Sequence, residues 1–180
     1  MLESHLYQVS ENAAFDRARA GARAVEPGKA HAPAVLAEAS VRPDPDVLGR
    51  IEIPRLGVRA IVREGVGDRT LGLAVGHIPG TARPGEAGNI GLAGHRDTFF
   101  RALRDVRKGD VLTLTTLSGM ESYRVSSLSV VEPQQTEVLL PTRGSAVTLV
   151  TCFPFDWIGA APKRFVVVAV AARKAQPGGR

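Results

Sequence analysis

From residue 47 to residue 172 the chain alternates short apolar runs with breaks that contain Gly or Pro. Runs of this length, rich in Val, Ile, Leu and Thr, read as strands. They predict strands over 48–53, 58–63, 89–95, 110–116, 121–131, 146–152 and 164–172. Turn signals separate them at Gly57, Gly65-Val66-Gly67, Pro84-Gly85, Lys108-Gly109-Asp110 and Ser118-Gly119. Short helices suit 68–73 and 97–104. Many short strands with regular breaks imply an all-β barrel or sandwich. The run Phe165 to Val170 is apolar on both faces, so it is expected to be a central strand covered on both sides.

The first 46 residues follow a different pattern. Leu2, Leu6, Val9 and Ala13 recur at helical spacing, and the Ala/Arg-rich continuation also favours helix, so a helix is predicted over 2–24. Pro27, Pro33, Pro43 and Pro45 break both helix and strand. The stretch 25–46 therefore reads as a linker with one short helix at 34–39. The organisation expected is helix 1–24, linker 25–46, folded domain 47–174 and frayed tail 175–180.

Composition narrows the classes. Hydrophobic residues at 44% and charged residues at 23% suit a globular core and exclude wholesale disorder. The net charge of +5 is unevenly spread. The first 46 residues hold five Lys/Arg against seven Asp/Glu, and the domain carries the whole positive excess. A basic domain suits nucleic acid, an anionic membrane or an anionic wall. The arginines are scattered and have few aromatic neighbours, which argues against a nucleic-acid reader. The longest wholly apolar run, Phe165 to Ala172, is much shorter than the roughly 20 residues that span a bilayer. No secretory signal is visible after Met1, so the chain reads as soluble.

Cys152 is the only cysteine, which excludes an intrachain disulfide and a four-thiolate zinc site. It ends the run Val147 to Cys152, and Pro154 stops that strand because it cannot donate to a ladder. A lone Cys is either a small buried apolar residue or a nucleophile. His95 ends the run Asn89 to His95, where Gly91 and Gly94 leave room beside the strand. Asp97 or Thr98 is placed to cap the helix that follows. Arg164 opens the last strand after the loop 153–163. Each residue has a bland alternative: a surface His, a solvent-facing Arg, a core Cys. Together they form an acyl-transfer set. A free thiol is only about 3% thiolate at pH 7. A nearby histidinium and guanidinium favour the thiolate, and a fixed Arg can donate to a tetrahedral oxyanion.

The text around these residues resembles the sortases, especially their class D members. Thr148-Leu149-Val150-Thr151-Cys152 is similar to the family's Cys motif, and Ala93-Gly94-His95-Arg96 to its His motif. Arg164 falls where the family's essential Arg lies. Gly76-His77-Ile78-Pro79-Gly80-Thr81-Ala82, Gly88-Asn89, His95 to Arg101, and Cys152 to Phe155 continue the likeness. The resemblance implies a closed eight-stranded β-barrel with short helices. It also implies a cysteine transpeptidase that cleaves an LPxTG-like sorting signal and joins the protein to an amine. Cys152, His95 and Arg164 are the implied catalytic residues. The implied partners are sorting-signal proteins and an amine such as a peptidoglycan peptide or a pilin lysine. The implied chemistry needs no metal or cofactor. The expected setting is extracytoplasmic, at the cell surface. Such sortases carry an N-terminal membrane anchor, which the text from Met1 lacks, and the 2–24 helix resembles the segment that follows one. His77, Thr151 and Trp157 are expected to line the substrate groove, each with a structural alternative: ordering a loop for His77, contacting backbone for Thr151 and covering the barrel end for Trp157. Two other readings stay open: a barrel that binds peptide without catalysis, and an interaction module whose Cys is core. An L,D-transpeptidase is disfavoured, because Thr151 rather than Gly precedes Cys152.

Overall fold

A computed structural model describes residues 2–24 and 43–172. Eight strands close into a barrel: β1 (Val47–Ile53), β2 (Val58–Glu64), β3 (Val75–His77), β4 (Asn89–Ala93), β5 (Val111–Thr115), β6 (Met120–Val131), β7 (Ala146–Phe153) and β8 (Lys163–Ala171). Their order around the barrel is β1-β2-β3-β4-β7-β8-β6-β5. Closure leaves no free strand edge. Two neighbouring pairs are parallel, β2 with β3 and β4 with β7, and the rest are antiparallel. The parallel β4–β7 pair brings the ends of two distant segments to the same rim.

The interior is filled by alternate residues of each strand, among them Ile51, Ile53, Ile90, Leu92, Leu112, Tyr123, Leu149 and Val167. All eight are fully buried. On β4 and β7 the outer face is half covered. Thr148 Oγ1 donates to Asn89 Oδ1 at 2.7 Å, and Asn89 Nδ2 donates to the carbonyls of Val138 and Leu140. A 3-10 turn at Thr136–Leu139 therefore sits over that end of the sheet. Gly91 fits beneath the same cover: a Cβ there would lie 2.9 Å from Thr81 and 3.1 Å from Leu139. Towards the opposite end Ala93 and Val150 are only half-buried.

Most of the expected elements are present, with informative differences. β3 occupies a stretch where no strand is expected. β4 ends at Ala93, two residues short of His95. The helix expected over 97–104 is a turn followed by a 3-10 helix at Arg101–Asp105, with no side-chain cap from Asp97 or Thr98. α2 (Asp68–Leu73) is as expected. On β8, Val166, Val167 and Ala169 are buried but Val170 is 46% exposed, so that strand is central in pairing without being covered throughout. The short helix expected at 34–39 and the 175–180 tail lie outside the described residues.

The N-terminal helix α1 (Leu2–Ala24) packs on the barrel with a face other than its most apolar one. Leu2, Leu6 and Val9 are 74%, 59% and 57% exposed. The inward face presents Ala14 and Phe15, and Phe15 packs with Ile61 and Ala74. Gln8 repairs a gap in the sheet there. Its Oε1 accepts from Ile61 N and its Nε2 donates to Leu73 O, just outside the last β2–β3 pair, Val62 with Val75. Asp16 accepts from the buried Arg50 at 2.7 Å.

Candidate active site

Three adjacent strands build the site. In the parallel β4–β7 ladder the last pair is Ala93 with Val150. Gly94 N then donates to Val150 O at 3.2 Å, and Thr151 Oγ1 donates to Gly94 O at 2.7 Å. These two bonds carry the alignment one residue past the strand and bring His95 abreast of Cys152. In the antiparallel β7–β8 ladder Cys152 and Arg164 are register partners. Alternation along β7 sends Val147 and Leu149 into the core, so Thr151 points inward and Cys152 outward. Phe165 and Val167 pack with the core on β8, which turns Arg164 to the same outer face as Cys152.

His95, Cys152 and Arg164 line one cavity of about 300 Å³, together with Arg96, Asp97, Gly159, Ala160 and Ala161. His95 is exposed, whereas Cys152 and Arg164 are half-buried. The Arg164 Nη1 donates to the carbonyls of Ala161 and Lys163 at 3.2 and 3.0 Å. Its Nε and Nη2 make no hydrogen bond among the described residues. A guanidinium has five donors, so this fork keeps free N–H groups for an anionic oxygen beside Cys152.

The loop after β7 forms the far wall. Arg96 Nη2 donates to the carbonyls of Trp157 and Gly159, at 2.5 and 3.0 Å, and Trp157 Nε1 donates to Ala160 O. The loop is thus tied to the His95 segment from one side and to Arg164 from the other. Gly159 adopts φ 88°, a left-handed conformation that favours Gly at this bend. Phe153, Phe155 and Phe165 cluster at the start of the loop, with ring centroids 5.5 to 6.3 Å apart: Phe155 meets the other two edge to face, and Phe153 stacks on Phe165.

The remaining candidate residues are placed differently from one another. Thr151 is 3% exposed, and its hydroxyl is committed to Gly94 O, so it supports the site from beneath. Trp157 lines a neighbouring hollow. His77 is 2% exposed and lies outside the cavity. Its Nδ1 is 3.0 Å from Glu64 Oε1, and its Nε2 faces Ala82 O and Thr81 Oγ1. That network ties the β3–β4 connection to the barrel, apart from the Cys152 cavity. Burial pushes the Glu64 carboxyl up, but the bond from His77 and the Arg83 guanidinium outweigh it and hold Glu64 below its ordinary range. From the sequence Arg96 is read only as part of the His motif and Asp97 only as a helix cap, and the small residues 159–161 carry no site expectation. The arginine directly after His95 was the available signal.

Comparison with known proteins agrees with this geometry. The sortase domain family model matches residues 51–172. Sortase D of Bacillus subtilis is 34% identical over 132 residues, 72% of this chain and 67% of the relative. Sortase C-1 of Actinomyces oris superposes with a TM-score of 0.65 at 29% identity, covering 89% of this chain and 98% of the other. A Clostridium perfringens sortase D5 superposes with a TM-score of 0.71 over 96% and 99% of the two chains; at 24% identity it speaks for the fold alone. The matched span contains every residue of the cavity, and on these grounds the chain belongs to the sortase family of cysteine transpeptidases.

Proposed function

We propose that Cys152, His95 and Arg164 are the catalytic residues of a sortase reaction carried out at the cell surface. The Cys152 thiolate attacks the Thr carbonyl of an LPxTG-like sorting signal. The free N–H groups of Arg164 donate to the oxyanion that forms. His95 gives a proton to the departing amine, and a thioester between peptide and Cys152 remains. An incoming amine then attacks the thioester, gives a proton to His95 and releases the thiolate. One new amide bond replaces the one that was broken. The substrates are proteins bearing a sorting signal, and the acceptor is an amine of the envelope, such as a peptidoglycan peptide or a pilin lysine.

The observation that supports this reading is the convergence of three side chains, from the rims of three neighbouring strands, on one cavity. A fluorescent sorting peptide incubated with a simple amine tests it. Wild-type protein should release the leaving fragment and form the amide product. Cys152→Ala should abolish both and keep the melting temperature, because a half-buried outward thiol contributes little to the core. Peptide binding without turnover across a panel of sorting motifs would instead establish a non-catalytic barrel.

A further inference from the structure

A second hollow, of about 240 Å³, adjoins the Cys152 cavity and does not touch Cys152 itself. The two meet at Arg96 and Asp97, which line both. The second hollow is lined further by Arg101, Arg104, Asp156 and Trp157. We propose that it is a subsite for a carboxylate carried close to the amine that enters or leaves during transpeptidation. The inference rests on the sortase reaction assigned above.

Position gives the first argument. His95 exchanges its proton with the amine, and the departing and entering amines occupy the same place beside it in opposite directions of one step. Arg96 and Asp97 directly follow His95 in the chain. A group attached near the amine and pointing away from Cys152 therefore enters the second hollow past these two residues.

Charge gives the second. Three guanidinium groups face two carboxylates, so the hollow keeps a positive excess. Arg104 spends one nitrogen on Asp156 at 2.7 Å, but that carboxylate is 85% exposed and holds its partner weakly. Arg96 spends Nη2 on the loop carbonyls, while its buried Nη1 has no partner. The Arg101 guanidinium makes no ion pair or hydrogen bond among the described residues; only its backbone N–H does, to Thr98 O. A planar fork without a partner, beside a second fork that is weakly held, suits bidentate recognition of a carboxylate. Asp97, whose carboxylate is also without a hydrogen bond among the described residues, stands at the junction of the two hollows. The half-exposed Trp157 supplies an apolar wall for the carbons between amine and carboxylate.

The test measures the ratio of transfer to hydrolysis with the intact protein and one fluorescent sorting peptide. Acceptors are offered in pairs that differ only in carrying a carboxylate or a carboxamide on the carbon beside the amine. A parallel arm uses donor peptides with Glu or Gln directly after the scissile bond and reads the rate of fragment release. Wild-type protein should favour the carboxylate about tenfold in at least one arm, the size expected of one charge-assisted fork. The arm that responds identifies the source, the incoming acceptor or the leaving peptide. Arg101→Gln should cut that preference to within about twofold, and adding Arg104→Gln should remove it. Because each comparison is a ratio between variants, the different basicities of the paired amines cancel. Equal preference in wild type and both variants would overturn the subsite and leave the sortase reaction standing. Absence of thioester formation from any sorting peptide would overturn both.

Discussion

Thr151 and Cys152 point to opposite faces of one strand and serve the site in different ways. Cys152 opens into the cavity. Thr151 is buried, and its hydroxyl holds the carbonyl of Gly94, the residue before His95. With the bond from Gly94 N to Val150 O, it continues the β4–β7 alignment towards His95 after the ladder has ended. Gly94 is confined on its other side, since a Cβ there would stand 2.8 Å from the Phe100 ring. Thr151→Val keeps the shape and removes only the donor, leaving a buried carbonyl unmet. It should cost about 1–3 kcal/mol of stability, read by denaturant unfolding. If the bond also positions His95, turnover per folded molecule should fall and the pH–rate profile should change, with little effect on the alkylation of Cys152 by a thiol-reactive probe. A loss of stability with unchanged turnover would make Thr151 a purely structural residue.

α1 shows how an element can be identified correctly and still face the wrong way. Its helical spacing is plain in Leu2, Leu6, Val9 and Ala13, yet that stripe is exposed. The helix is held instead by Phe15, by the Gln8 amide filling the gap beside β2, and by Asp16 on Arg50. Hydropathy does not register polar bonds of this kind, because they depend on where another strand stops. Phe15→Ala removes a ring that is 1% exposed and also lies 5.5 Å beneath the Arg50 guanidinium. It should destabilise the protein by about 3 kcal/mol, seen as a lower thermal midpoint, with turnover at room temperature retained. The same distinction separates the legible parts of the barrel from the illegible. β7 is a continuous run of Val, Leu and Thr stopped by Pro154, and β8 is a run of Phe, Val and Ala that follows Pro162, so their ends are readable almost to the residue. β3 is three residues long and includes Gly76 and His77. No period can be seen in three residues, and only its pairing with β2 and β4 makes it a strand. Likewise Cys152, His95 and Arg164 were legible because each lies at the rim of a recognisable run. Arg96 takes its place from bonds to the loop after β7, and His77 from its contact with Glu64 on the neighbouring strand, which sequence spacing does not encode.

The closed barrel brings Cys152, His95 and Arg164 to one rim, and its integrity rests partly on carboxylates that lock distant segments together. Asp110, 7% exposed at its side chain, receives Arg55 Nε at 2.5 Å and Nη2 at 2.6 Å, and it also accepts from Arg107 N. The fork from Arg55 holds the Asp110 carboxyl below its ordinary range, against the opposing effect of burial. Glu64 is held low in the same sense by His77 and Arg83, which outweigh its own burial. A carboxyl whose folded pKa is depressed binds fewer protons in the folded state than in the unfolded one. Its contribution to stability is therefore complete above the unfolded value, near pH 4, and is lost as pH falls through the folded value. Asp110→Asn cannot take up a proton and lacks the ion pair at every pH. Its thermal midpoint should lie below that of the wild type at pH 7, and the gap should narrow steadily as pH drops below about 4. Glu64→Gln should behave in the same direction, with a smaller gap because its carboxylate is a third exposed and partly screened. Melting curves recorded from pH 7 down to about pH 2 test both variants. Curves that stay parallel to the wild type would show that neither carboxylate is linked to folding, whereas convergence for Asp110→Asn alone would assign the acid sensitivity of the barrel to the Arg55 fork.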